Sequence, residues 1–307
     1  MGRIIRLDDL LKTVDPSIEG KVKKTVEHWR KRTHTFLSGR SRLKLQRGEI
    51  RMRIKVEVKP AYPVSLGKLL QLEIDEQAEV LSSVRQQIEC CKEDLEVLQP
   101  KVKSLSPATF EGPACRDDVL KGMSVVHDYL EGALRHVVIR SVVQKMLEVD
   151  QDILGVYRYQ GLKGDVVLYW AVIGFIANGL GIRAEDLATV VLVHELAHGY
   201  THIGIDADGH RWNEFSKVET GLAEALAQYY THLALAFWRD SSPGPWAAYQ
   251  RLTRRQTQTY QHHLGWVDKW PLEVVRSAML EARKQKKSSL GDFERGLERE
   301  SKRLEDF

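Results

Sequence analysis

The clearest pattern along the chain is a run of alternation. Ile50, Met52, Ile54, Val56 and Val58 alternate with Arg51, Arg53, Lys55, Glu57 and Lys59, the period of a strand with one apolar and one charged face. Leu43 and Leu45 precede it across Gln46-Arg47-Gly48-Glu49, which predicts a hairpin within residues 42–59. Before it, residues 8–32 read as a basic helix with Leu10, Leu11, Ile18, Val22 and Val26 as core contacts. After it, Leu70, Ile74, Leu81, Val84, Ile88, Cys91, Leu95 and Leu98 recur at steps of three and four. That spacing predicts a long helix over 66–98, packed in a helical hairpin or on its own domain. Pro100 to Pro113, with Ser104, Ser106 and Pro107, reads as a linker.

Residues 117–149 return to helical periodicity, followed by two β-rich runs, Leu154–Tyr157 and Val166–Trp170. Residues 166–182 are uncharged, the bottom of the membrane-spanning range. Gly174, Asn178, Gly179 and Gly181 make them read as a buried strand plus a turn. A helix is expected from Ala184 to His202, with Glu185 and Asp186 suiting its first turn. A polar loop over 203–217 follows, then helices over 218–238, 245–262, 272–286 and 288–305. The fold class expected is α+β, mainly helical. Two parts are expected: a basic N-terminal region, 1–112, with hairpin and long helix, and a second domain, 113–307, carrying the short strands and the buried helix.

Composition is that of an ordinary globular chain, with 43% hydrophobic and 29% charged residues. Charge is uneven. Residues 1–60 hold 17 Lys/Arg against 7 Asp/Glu, a balance of +10, so the rest carries −6 of the overall +4. Arg40, Arg42, Lys44, Arg51, Arg53, Lys55 and Lys59 would suit phosphates. With Trp29, Phe36 and Tyr62 as the nearby aromatics, a solvated charged face is expected before a nucleic-acid surface. Three cysteines, Cys90, Cys91 and Cys115, make a poor disulfide framework and read as reduced thiols of a cytoplasmic protein. The N-terminus has neither a secretory pattern nor, with Arg6 at the key position, a myristoylation pattern.

The chemistry concentrates in His194-Glu195-Leu196-Ala197-His198. On a helix, positions four apart share a face, so two imidazoles can take two corners of a zinc tetrahedron. Glu195 can then reach the open corner as the base for water. The apolar neighbours Val190, Val191, Val193 and Leu196 bury these groups, and buried polar groups need partners. Candidates for the third ligand are His202, His210, Glu219 and Glu224. His202 lies roughly 12 Å along the axis from His194, too far to share one ion on a straight helix. Thr201 and Gly204 break the HExxHxxGxxH spacing. Glu224, inside the apolar Gly221–Thr231 run with its small residues, is the best candidate.

HELAH followed by helical Glu224-Ala225-Leu226-Ala227 resembles the gluzincin clan, which includes thermolysin and the zinc aminopeptidases. The stretch His194–Trp212 is also similar to a group of uncharacterised bacterial metallopeptidases carrying HELAHxYTHxGxDxDGxxW. The resemblance covers roughly residues 153–231. It implies a zincin-like domain, one zinc held by His194, His198 and Glu224, and hydrolysis of a peptide or protein substrate with Glu195 as catalytic base. It also implies a substrate-pairing strand, expected at 166–170. Thermolysin-like enzymes have Asn and Asp where this chain has Ala223 and Gln228, so Gln228 is the candidate to orient His194. The GxMEN motif is absent. For oxyanion stabilisation, Tyr200, Tyr229, Tyr230, Tyr260, His262 and His263 are available, and Tyr260 and His263 are the most suggestive. The alternative expectation is a non-catalytic zinc-containing protein whose basic N-terminal region binds nucleic acid or a partner.

Overall fold

The computed structural model describes residues 7–48, 50–60, 79–106, 116–148, 153–286 and 289–305. The chain begins with α1 (Leu7–Lys12) and α2 (Ser17–Ser41). The single helix expected over 8–32 is broken between them. Pro16 disfavours helix at the residue before it, and the Asp15 carboxylate instead accepts bonds from the Ser17 N–H (2.8 Å) and hydroxyl (2.6 Å). Val22, Val26, Trp29, Thr33, Phe36 and Leu37 give α2 its buried face.

The predicted hairpin survives as a two-residue ladder between β1 (Gln46–Arg47) and β2 (Ile50–Arg51). The main strand, β3 (Arg53–Lys59), goes elsewhere. A β-hairpin, β4 (Gly155–Gln160) and β5 (Lys163–Tyr169), turns at Gly161 with φ +60°, and β3 pairs with β5 in parallel. The sheet order is β3-β5-β4, with Arg53 opposite Lys163 and Lys59 opposite Tyr169. Met52 and Ile54 are buried and Arg53 and Lys55 exposed, as the alternation requires. The sheet therefore joins residues from both sides of position 112, and a continuous apolar core runs from Leu7 to Leu297.

The long amphipathic pattern ends in α3 (Glu79–Ser104), which pairs with α4 (Arg116–Leu147). The contacts Lys92–Glu131 and Glu96–His127 make the pair antiparallel. Leu70 and Ile74 lie outside the described residues, as do Pro107 and Pro113 of the expected linker. Pro100 does not stop the helix. It sits in the last turns, where its missing N–H removes one bond from an end that frays anyway.

After β5 the chain enters α5 (Trp170–Leu180) directly, so the uncharged stretch is strand plus helix and not strand plus turn. Its glycines serve close packing. A Cβ on Gly174 would stand 2.8 Å from Val14 Cγ1, and one on Gly179 2.5 Å from Val143 Cγ2. Gly181, at φ +63°, ends the helix with its N–H on Ala177 and Asn178. Among the described residues no helix is long and apolar enough to cross a membrane.

Helix α6 (Ala184–Ile203) is the axis of the fold, buried at every position from Leu187 to Ile203. Around it pack α2, α5, the β4–β5 hairpin, α7 (Thr220–Trp238) and α8 (Pro243–Thr253). The helix expected over 245–262 is divided. After α8 comes a loop, a 3₁₀ turn at Gln258–Tyr260 and α9 (His262–Lys269). Helices α10 (Leu272–Lys284) and α11 (Leu290–Glu305) close the chain, each with one strongly apolar face.

Candidate metal centre

The two helices expected to meet do so. α6 and α7 lie side by side, with Ala223, Ala225 and Ala227 allowing close approach. His194 and His198 point their Nε2 atoms at one spot, 3.1 Å apart. The Glu224 carboxylate divides its oxygens between them, Oε2 at 3.1 Å from His194 Nε2 and Oε1 at 3.4 Å from His198 Nε2. All three side chains are at least 91% buried.

With one ligand atom taken from each residue, all three lie within 4.8 Å of one another, close enough for a single metal ion to gather them. Ligands 2.0–2.1 Å from a tetrahedral ion stand about 3.3 Å from one another. Two imidazole nitrogens and one carboxylate oxygen are a donor set for a first-row divalent ion. The cluster is the group of potential ligands that comes together among the described residues. Burial pushes the Glu224 pKa up, but the imidazoles of His198 and His194 outweigh that and hold it well below its ordinary value. The carboxylate is thus ionised where a cation would sit.

The other third-ligand candidates are placed elsewhere. His202 stacks on Phe215, with ring centroids 4.2 Å apart, and its Nδ1 lies 3.1 Å from the Tyr157 hydroxyl. Burial lowers its pKa to about 3, so it is a neutral packing residue. His210 is exposed in the loop after α6. Glu219 accepts the Leu290 N–H at 2.7 Å.

A cleft opens beside His194 of the cluster. Its walls include His194, Glu195, Leu154, Gly155, Gln228 and Tyr260. Glu195 is 1% exposed and sits beneath β4. A Cβ on Gly155 would lie 3.0 Å from its Oε1 and 2.7 Å from Val191 Cγ1, so the strand reaches the carboxylate because position 155 has no side chain. Sequence spacing gave no sign of this contact.

Of the two suggested oxyanion residues, the structure brings one to the cleft. Tyr260 lines it, its ring 6.3 Å from that of His194. His263 does not line it. It is fully buried behind, with Nε2 2.5 Å from the Tyr249 hydroxyl, and burial lowers its pKa to about 3. Gln228 stands beside His194 in the cleft wall, but its Oε1 meets no donor. The strand at 166–170 is corrected as well. β5 is the centre of the sheet, paired on both sides, so its backbone groups are already used. The strand beside the cleft is β4, an edge strand among the described residues.

No protein-family model matches the chain, and the searches of curated proteins and of solved structures found no match.

Proposed function

We propose that this protein is a zinc-dependent hydrolase of the gluzincin type that cleaves peptide bonds. The observation that carries the proposal is the buried cluster of His194, His198 and Glu224, with a second buried carboxylate, Glu195, beside His194 in the wall of a cleft. When bound, one zinc ion supplies Lewis-acid chemistry, polarising a carbonyl and making water acidic near neutral pH.

The chain's own groups do the rest. Glu195, held between Val191 and Gly155, accepts the proton of the attacking water at its carboxylate and returns it to the departing amine. The Tyr260 hydroxyl donates to the oxygen on which charge develops. The outer edge of β4, unpaired among the described residues, is where an extended substrate backbone would add as a further strand. Leu154 and Met146 give the cleft apolar walls, and a less polar surround strengthens each of these polar interactions. A reducing cytoplasmic setting suits Cys90 and Cys91, which are exposed and free.

The test is Glu195→Gln. The variant should keep one zinc per chain and lose about 10²–10⁴-fold in hydrolysis of a fluorogenic peptide library. Unchanged turnover with zinc retained would refute the assignment of the base.

A further inference from the structure

A second cavity lies on the far side of α6 from the metal cluster. Tyr200, two positions and so about 200° beyond His198 on the helix, forms part of its floor. It is a wide, open depression, to which α2 contributes Arg30 and His34, β3 contributes Arg53 and Lys55, and β5 contributes Lys163. Asp165 is the one carboxylate in the lining.

The charge arrangement is unusual for a structural surface. In the β3–β5 register Lys55 faces Asp165, of opposite sign, but Arg53 faces Lys163. Like charges directly opposite on neighbouring strands are destabilising. Both are exposed, and neither forms an ion pair among the described residues. Arg30 spends one Nη on the Ile54 carbonyl at 2.9 Å and keeps its charge. Lys55 is paired with Glu57, so Arg30, Arg53 and Lys163 stand around one opening with Asp165 as the carboxylate among them, an excess of positive charge.

The floor differs from the rim. Met52 and Ile54 are buried and apolar. The Tyr200 hydroxyl donates to the His34 carbonyl, and His34 Nδ1 lies 3.2 Å from the same hydroxyl. Burial, with help from Arg30, lowers the His34 pKa to about 4, so the ring is a neutral hydrogen-bonding group. A cationic rim over a partly apolar floor fits a ligand with a phosphate at one end and a less polar ring or chain at the other.

We propose that this cavity binds an organic phosphate of about nucleotide size, with the phosphate between Arg53 and Lys163 and independently of the metal centre. A depression with Tyr200 as its one tyrosine and no tryptophan or phenylalanine in the lining suits a small molecule better than a polynucleotide, which favours an extended basic track with several stacking rings.

The test uses the full-length metal-loaded chain and adenosine monophosphate as probe, followed calorimetrically at 0.15 M salt. One saturable site is expected. Affinity should fall at least about tenfold in the double variant Arg53→Gln, Lys163→Gln and stay unchanged in His194→Ala. Both substituted side chains are exposed, and a retained melting temperature shows that the fold is intact. Three outcomes would overturn the proposal: no saturable binding at millimolar nucleotide, binding indifferent to the double substitution, or binding confined to a single-stranded 20-mer oligonucleotide.

Discussion

Replacing Gly155 with alanine should damage catalysis without touching a metal ligand. The added Cβ would stand 2.7 Å from Val191 Cγ1, 3.0 Å from Glu195 Oε1 and 3.1 Å from Glu195 Cγ. Ordinary contact begins near 3.4 Å, so something must move by about 0.7 Å. Val191 is fixed in the core of α6. The motion therefore falls on β4 or on Glu195. Overpacking of this kind costs about 1–3 kcal/mol, a drop of a few degrees in melting temperature for a chain this large. If Glu195 is the base, misplacing it by a fraction of an ångström to 1 Å lowers turnover by up to about 10²-fold. The assay is peptide hydrolysis with zinc content measured on the same sample. Gly265→Ala serves as control, since a Cβ there meets nothing within 4 Å and the position is helical. The reasoning is refuted if Gly155→Ala keeps both wild-type turnover and wild-type melting temperature.

Two further expectations bear on the same site. Tyr260→Phe should keep zinc and lower kcat by about tenfold or more with little change in KM, measured by steady-state kinetics. His263 has a folded pKa of about 3, below its ordinary 6.5, because of burial. The unfolded chain therefore binds a proton that the folded one refuses, so stability is full above about pH 6.5 and is lost as pH falls toward 3. In chelator-treated protein, His263→Gln should flatten the fall in melting temperature between pH 7 and pH 4.5; an unchanged slope contradicts this.

The sequence showed local periodicity well and long-range pairing poorly. The alternation of Ile50 to Val58 correctly gave a half-buried strand, yet its parallel partner lies more than a hundred residues on, where no turn signal can point to it. The family resemblance places the substrate-pairing edge at 166–170, but β3 and β4 cover both sides of that strand. Gly174 and Gly179 were read as turn residues because a sequence cannot separate a glycine needed for backbone freedom from one needed for close packing. His194, His198 and Glu224 were legible because spacing on one helix and polarity inside two apolar helices are local properties. The contact of Gly155 with Glu195 and the facing cations Arg53 and Lys163 arise only when distant segments meet. The cations of the basic N-terminal face are exposed, and Arg53 and Lys55 also border an open depression.

The central claim is that three side chains from α6 and α7 hold one zinc ion. Metal analysis of wild-type protein beside His194→Ala and Glu224→Ala tests it most directly. About one zinc per chain in the wild type is expected, with substoichiometric zinc in both variants while their helical content persists. Equal zinc in all three proteins, or a folded wild type that takes up no added zinc, would contradict it.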